Sequence, residues 1–120
     1  MEANRAEQLE ALQTLTEFNE KVVKNIHILI KELKGERLDD TDKFQQSIIS
    51  AINWEIQVLN GTMDVLNEGG TRVDKEAVNK KIVALGEVLK TKEDIKVAEA
   101  FEELLPELEN IGTAARGVLA

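Results

Sequence analysis

The chain carries one histidine, no cysteine and no tyrosine, so its chemistry would have to come from His27, carboxylates, hydroxyls and amides. Zinc enzymes gather two or three imidazoles or thiolates on one ion, and the di-iron helical bundles need Glu-x-x-His from each of two helices. Position 24 is Lys24, so even one such motif is missing. A Ser-His nucleophile pair would have to use His27, set between Ile26 and Ile28 inside a helical pattern. His27 is expected to be a helix-flank residue bonded to water or a neighbour, with a pH-responsive contact or a ligand role as the functional alternative.

Carboxylates offer more material. Asp39, Asp40 and Asp42 could hold a divalent cation through oxygen. A calcium loop begun at Asp40, however, puts Gln45 where glycine is required and Ala51 where the bidentate glutamate belongs. Capping of the following helix, by any of these or by Thr41, explains them better. Glu99, Glu102, Glu103, Glu107 and Glu109 read as a solvated helix face rather than a pair of catalytic carboxyls, one of which would need desolvation. Gly69-Gly70 leads to Thr71-Arg72, without the Gly-Lys-Ser/Thr ending of a phosphate-binding loop. No residue is assigned a catalytic, cofactor-binding or metal-ligating role, and the chain is expected not to be an enzyme.

These side chains must be positioned by helices, because the chain has one proline, few aromatics and abundant Glu, Lys, Leu and Ala. Apolar residues at steps of three and four predict helices over about 3–34, 42–68, 75–90 and 92–112. Gly35 fits the carboxyl cap of the first, and Lys31 and Lys34 suit its dipole. Asp74 caps the third, with Val73 and Val78 placed for a hydrophobic staple. A phase jump of about 140° between the Ile82, Leu85, Leu89 stripe and the Val97, Phe101, Leu104 stripe separates the last two helices by a turn near Thr91. Pro106 falls opposite Phe101 and is expected to curve the fourth helix without breaking it. Short connections then give an all-α fold: one domain over 1–120, an antiparallel four-helix bundle with two long and two shorter helices. Its apolar stripes are large enough for folding without a cofactor.

The second helix is the unusual one. Its main stripe is Phe44, Ile48, Ile52, Ile56, Leu59, Met63 and Leu66, yet Trp54 points almost opposite Ile52. Ser47, Ala51, Trp54, Val58, Gly61 and Val65 form a second seam at the same spacing. The remaining row, Gln46, Ser50, Asn53, Gln57, Asn60 and Asn67, is polar and uncharged, and only Glu55 and Asp64 carry charge between Phe44 and Leu66. A helix that poor in charge is expected to be central. Its seam is covered either by the rest of the chain or by a partner, since tryptophan among small residues suits both a core and an interface hot spot.

The segment Ile48-Ile49-Ser50-Ala51-Ile52-Asn53-Trp54, with Ile56 and the later Glu102-Glu103-Leu104-Leu105-Pro106-Glu107-Leu108, resembles a group of small all-helical proteins from Firmicute bacteria. In that group a tryptophan in the second helix precedes an acidic-leucine-proline segment in the last. The resemblance spans roughly Phe18 to Ile111. It departs where the group's tyrosine and aspartate are replaced, around Ala98 to Glu103. It implies a helical fold, a bacterial cytoplasmic setting and an association with flagellar gene neighbourhoods, and no activity.

Charge and composition narrow the partners. A net charge of −8 disfavours nucleic acid and anionic membrane surfaces, which bind through clustered Lys and Arg, and the basic residues look scattered. No apolar run approaches a membrane span, and the amino end lacks a signal-peptide pattern, so a cytoplasmic setting is expected. The leading expectation is a protein-interaction module, adaptor or chaperone-like, using the Trp54 seam. A self-associating structural or regulatory protein, as a homodimer, is the first alternative. A small-ligand protein or enzyme using the polar row of the second helix is the other.

Overall fold

A computed structural model describes residues 4–120 and shows four helices: α1 (Arg5–Leu33), α2 (Thr41–Leu66), α3 (Lys75–Leu89) and α4 (Asp94–Leu119). The expected start of the first helix at Ala3 lies outside the described residues. Each chain neighbour runs antiparallel to the last. Lys34 at the end of α1 pairs with Glu102 early in α4, Lys81 of α3 pairs with Glu103 at 3.8 Å, and Arg5 pairs with Glu68 just beyond α2.

Local sequence explains most boundaries. Asn4 caps α1 by accepting from the Glu7 amide at 2.9 Å, and Gly35, with φ of 130°, turns the chain out of it. Asp74 caps α3 through the amides of Glu76 and Ala77, and Val73 and Val78 are both buried beside it.

The start of α2 departs from expectation. Asp40 stands at the cap but makes no side-chain cap bond. The buried Thr41 hydroxyl accepts from the Leu38 amide at 2.8 Å and donates to Glu32 at 2.7 Å, so a hydroxyl inside the turn ties α2 back to α1. Asp42 points instead to Arg37 at 2.8 Å.

Pro106 lies inside α4 on its exposed side. The helix, expected to end near 112, continues to Leu119 because Ala114 and Ala115 extend its buried face past Gly112.

The central helices are α1 and α4, not α2. The α4 backbone packs against all three others, α2 lies on α1 and more lightly on α4, and α3 rests on α4 alone. Phe101, Leu104, Leu108 and Ile111 of α4 meet Leu12, Leu15, Ile26 and Leu29 of α1 in one core. The low charge of α2 therefore does not mark the centre: its row of Gln46, Ser50, Asn53, Gln57 and Asn60 is exposed to solvent. Among the described residues no helix is long and apolar enough to cross a membrane.

Candidate functional site

Helix α2 has two apolar flanks on either side of a buried line, and the structure treats them differently. The line is Ile48, Ile52, Glu55, Leu59, Thr62 and Leu66, all buried. On one side runs the seam expected to be an interface. Trp54 there is half-buried, and its ring meets Phe18 of α1 edge to face, with centroids 4.9 Å apart and planes at 70°. Ala51 and Val58 are also half-buried against the core, Val65 is buried, and Ser47 and Gly61 are exposed. Much of the seam thus packs on its own chain.

Glu55 belongs to this closed side and was not singled out by sequence as a core residue. It is completely buried. The Asn19 amide group donates to Glu55 Oε1 at 3.1 Å and to the Leu108 carbonyl at 3.0 Å, bridging three helices. Glu55 Oε2 has no partner among the described residues. Burial pushes the carboxyl up to about 7, against the smaller opposing effect of the Asn19 hydrogen bond.

A signal for both residues was present: Asn19 sits four after Leu15, and Glu55 three after Ile52, each in phase with an apolar stripe. Gly112 completes the arrangement. A Cβ placed there would lie 2.3 Å from Asn19 Oδ1, so only glycine lets the amide approach α4 so closely.

The other flank is open. The α2 and α3 backbones do not pack on each other, and between them lies a cleft of about 130 Å³ lined by Ile49, Ile52 and Asn53 on α2 and Ile82, Leu85, Gly86 and Leu89 on α3. It continues past Ile49 and Leu89 into a wider mouth of about 850 Å³ bounded by Gln46, Lys92, Asp94 and Arg37. At that mouth Arg37 donates to both carboxylate oxygens of Asp94, at 2.9 and 2.7 Å, as well as to Asp42. The pairing raises the Arg37 guanidinium and lowers the Asp94 carboxyl, hydrogen bonding being the main cause for each. Both carboxylates at the mouth are therefore committed.

The side chains with catalytic chemistry are dispersed. His27 is exposed and lines a shallow hollow of about 310 Å³ between α1 and α4, with Glu20, Glu109, Thr113 and Arg116. The α4 carboxylates lie on its outer surface, where Glu102 and Glu103 pair with lysines of α1 and α3. Among the described residues no group of three or more His, Asp or Glu could hold a metal ion.

Comparison with curated proteins and with solved structures finds no match. A family described as Domain of unknown function (DUF8042) matches residues 10–114, which takes in α2 and α3 entire and most of α1 and α4. The chain belongs to that family.

Proposed function

We propose that this protein is a non-enzymatic interaction module that receives a partner segment in the cleft between α2 and α3. One observation carries the reading: two helices that share a core keep their backbones apart, so the half-buried Ile49, Ile82 and Leu89 line a furrow between them. A helix laid into such a furrow would bury those side chains as a fifth element, the usual way an amphipathic segment is recognised. The Trp54 seam supports this reading less, because Phe18 already occupies one side of the tryptophan. An adaptor or chaperone-like role in a bacterial cytoplasm fits the same surface.

A photo-crosslinking residue at Asn53, in the cleft, and another at Thr14, on the exposed side of α1, should behave differently in the native host. The Asn53 probe is expected to trap a discrete protein that Gly86→Leu abolishes. Equal trapping at both positions, or none at Asn53, would sink the proposal.

Self-association is a second reading, favoured by Leu38 and Ile95, which are 59% and 51% exposed beside the Arg37–Asp94 pair. Sedimentation equilibrium of wild type against Leu38→Ser/Ile95→Ser tests it, and a wild-type monomer at every concentration removes it.

A further inference from the structure

Three lysines that look scattered along the sequence fall on the cleft side of α3 and its carboxyl end. Of the cations from Arg72 to Lys92, Arg72 is held by the carbonyls of Leu66 and Glu68 and Lys81 pairs with Glu103 of α4, while Lys75, Lys90 and Lys92 are the three on the cleft side. Lys75 precedes Ile82 by seven residues and Lys90 follows Gly86 by four, so both share the α3 flank that borders the furrow. Lys92 lines its mouth, held there in a left-handed turn with φ of 56°. Neither Lys75 nor Lys92 makes an ion pair among the described residues. Lys90 is shared with Glu87 at 3.3 Å, and Asp42 and Asp94 are taken up by Arg37. The α2 wall brings no cation to the space: Gln45, Gln46 and Asn53 face it, and its one carboxylate there, Asp42, is the one held by Arg37.

We infer that the occupant of the cleft is an acidic amphipathic helix, laid with its carboxylates against the α3 rim and uncharged polar residues against α2. The inference rests on the docking reading above and adds the partner's chemistry and orientation. An apolar floor supplies contact area without choosing among partners, whereas rim charges select by sign and speed encounter. A lysine-rich wall next to an amide-rich wall accepts carboxylates on one side only. A basic helix would meet Lys75 and Lys92 with like charge and would be drawn to the acidic surfaces elsewhere on the chain.

The test uses the whole 120-residue chain and two fluorescein-labelled designed helical peptides with the same leucine stripe, one flanked by glutamate and one by lysine. Binding is read by anisotropy in wild type, Gly86→Leu, Asn53→Trp and Lys75→Glu/Lys92→Glu, with circular dichroism confirming that each variant is folded. The cleft-dependent part is the binding that both Gly86→Leu and Asn53→Trp remove. In wild type that part is expected to be about tenfold tighter for the glutamate peptide at low salt, the ratio that two or three rim charge pairs produce together. It should weaken as salt rises, and Lys75→Glu/Lys92→Glu should abolish or reverse the preference. Cleft-dependent binding that is equal for the two peptides, or a preference untouched by charge reversal, overturns the acidic partner and leaves the docking site standing. Absence of any cleft-dependent binding overturns both.

Discussion

The two flanks of α2 differ in what completes them. On the Trp54 side the chain provides its own cover: a phenylalanine against the indole, an asparagine against a buried glutamate, and a glycine that lets the asparagine in. On the Ile49 side α3 stands off, and the apolar side chains line a furrow. Apolar content alone does not separate a core face from a binding face, since both flanks are rich in it. What separates them is whether the neighbouring helix closes on the flank, as α1 does at Phe18, or leaves a furrow, as α3 does at Ile82.

The largest test of the closed flank is pH. Glu55 titrates near 7 in the fold, against a carboxylate's ordinary value of about 4.3. Folding therefore raises its proton affinity. Its contribution is fully present below the unfolded value and is lost as pH rises to the folded one, because there the unfolded chain sheds the proton first. The unfolding free energy from urea melts should fall between about pH 4 and 7, by up to roughly 3 kcal/mol. Glu55→Gln should flatten that stretch and equal or exceed wild type at pH 8. A variant that retains the full slope would show that other groups produce it.

Truncating the indole comes next. Trp54→Ala should cost about 2 kcal/mol, below the 3 to 5 typical of fully buried aromatics because Trp54 is half-buried. The loss should be the same at every protein concentration. A midpoint that depends on concentration in wild type and not in the variant would instead return the seam to the role of an interface between copies.

Two glycines turn the comparison into opposite signs. Gly112→Ala puts a methyl group into Asn19, whose amide is held by two buried hydrogen bonds, and should destabilise by about 1 to 2 kcal/mol despite alanine's helix preference. Gly86 lines the cleft, and an added Cβ meets nothing within 4 Å. Gly86→Ala should therefore stabilise by about 0.5 to 1 kcal/mol through helix propensity. Urea melts of both variants check the pair, and like signs would erase the distinction between flanks.

The smallest effect belongs to the mouth. Arg37→Ala should cost about 0.5 to 1 kcal/mol, as expected of a bidentate pair open to solvent. The cost should shrink in high salt, and a salt-independent loss would assign it to packing of the arginine stem.

Much of the fold was legible because helical periodicity and capping are local. Asp74, Gly35 and the phase break near Thr91 each signal a boundary without reference to other helices. The placement of α2 was not local. Its scarcity of charge suggested a centre, but uncharged amides are well hydrated and face water here. Glu55 was legible by phase and passed over by type, since a carboxylate is read as surface until its partner is known. That partner, Asn19, lies 36 residues away. The cleft was illegible for the same reason: Ile49 and Ile82 look like ordinary core positions, and only the separation of α2 from α3 leaves them facing a gap.

The position of α4 bears on how the molecule assembles. The helix that touches all three others is the last one made, and α3 has no other helix to rest on. During synthesis, which proceeds from the amino end at about 5 to 20 residues per second, α1 and α2 can form a hairpin with Asn19 and Glu55 still half-solvated, while α3 waits. The Asn19 to Leu108 bond, spanning 89 residues of chain, can form only once α4 is present. Pulse-labelling hydrogen exchange should accordingly show α3 amides gaining protection together with α4, and the α1–α2 turn no later than either.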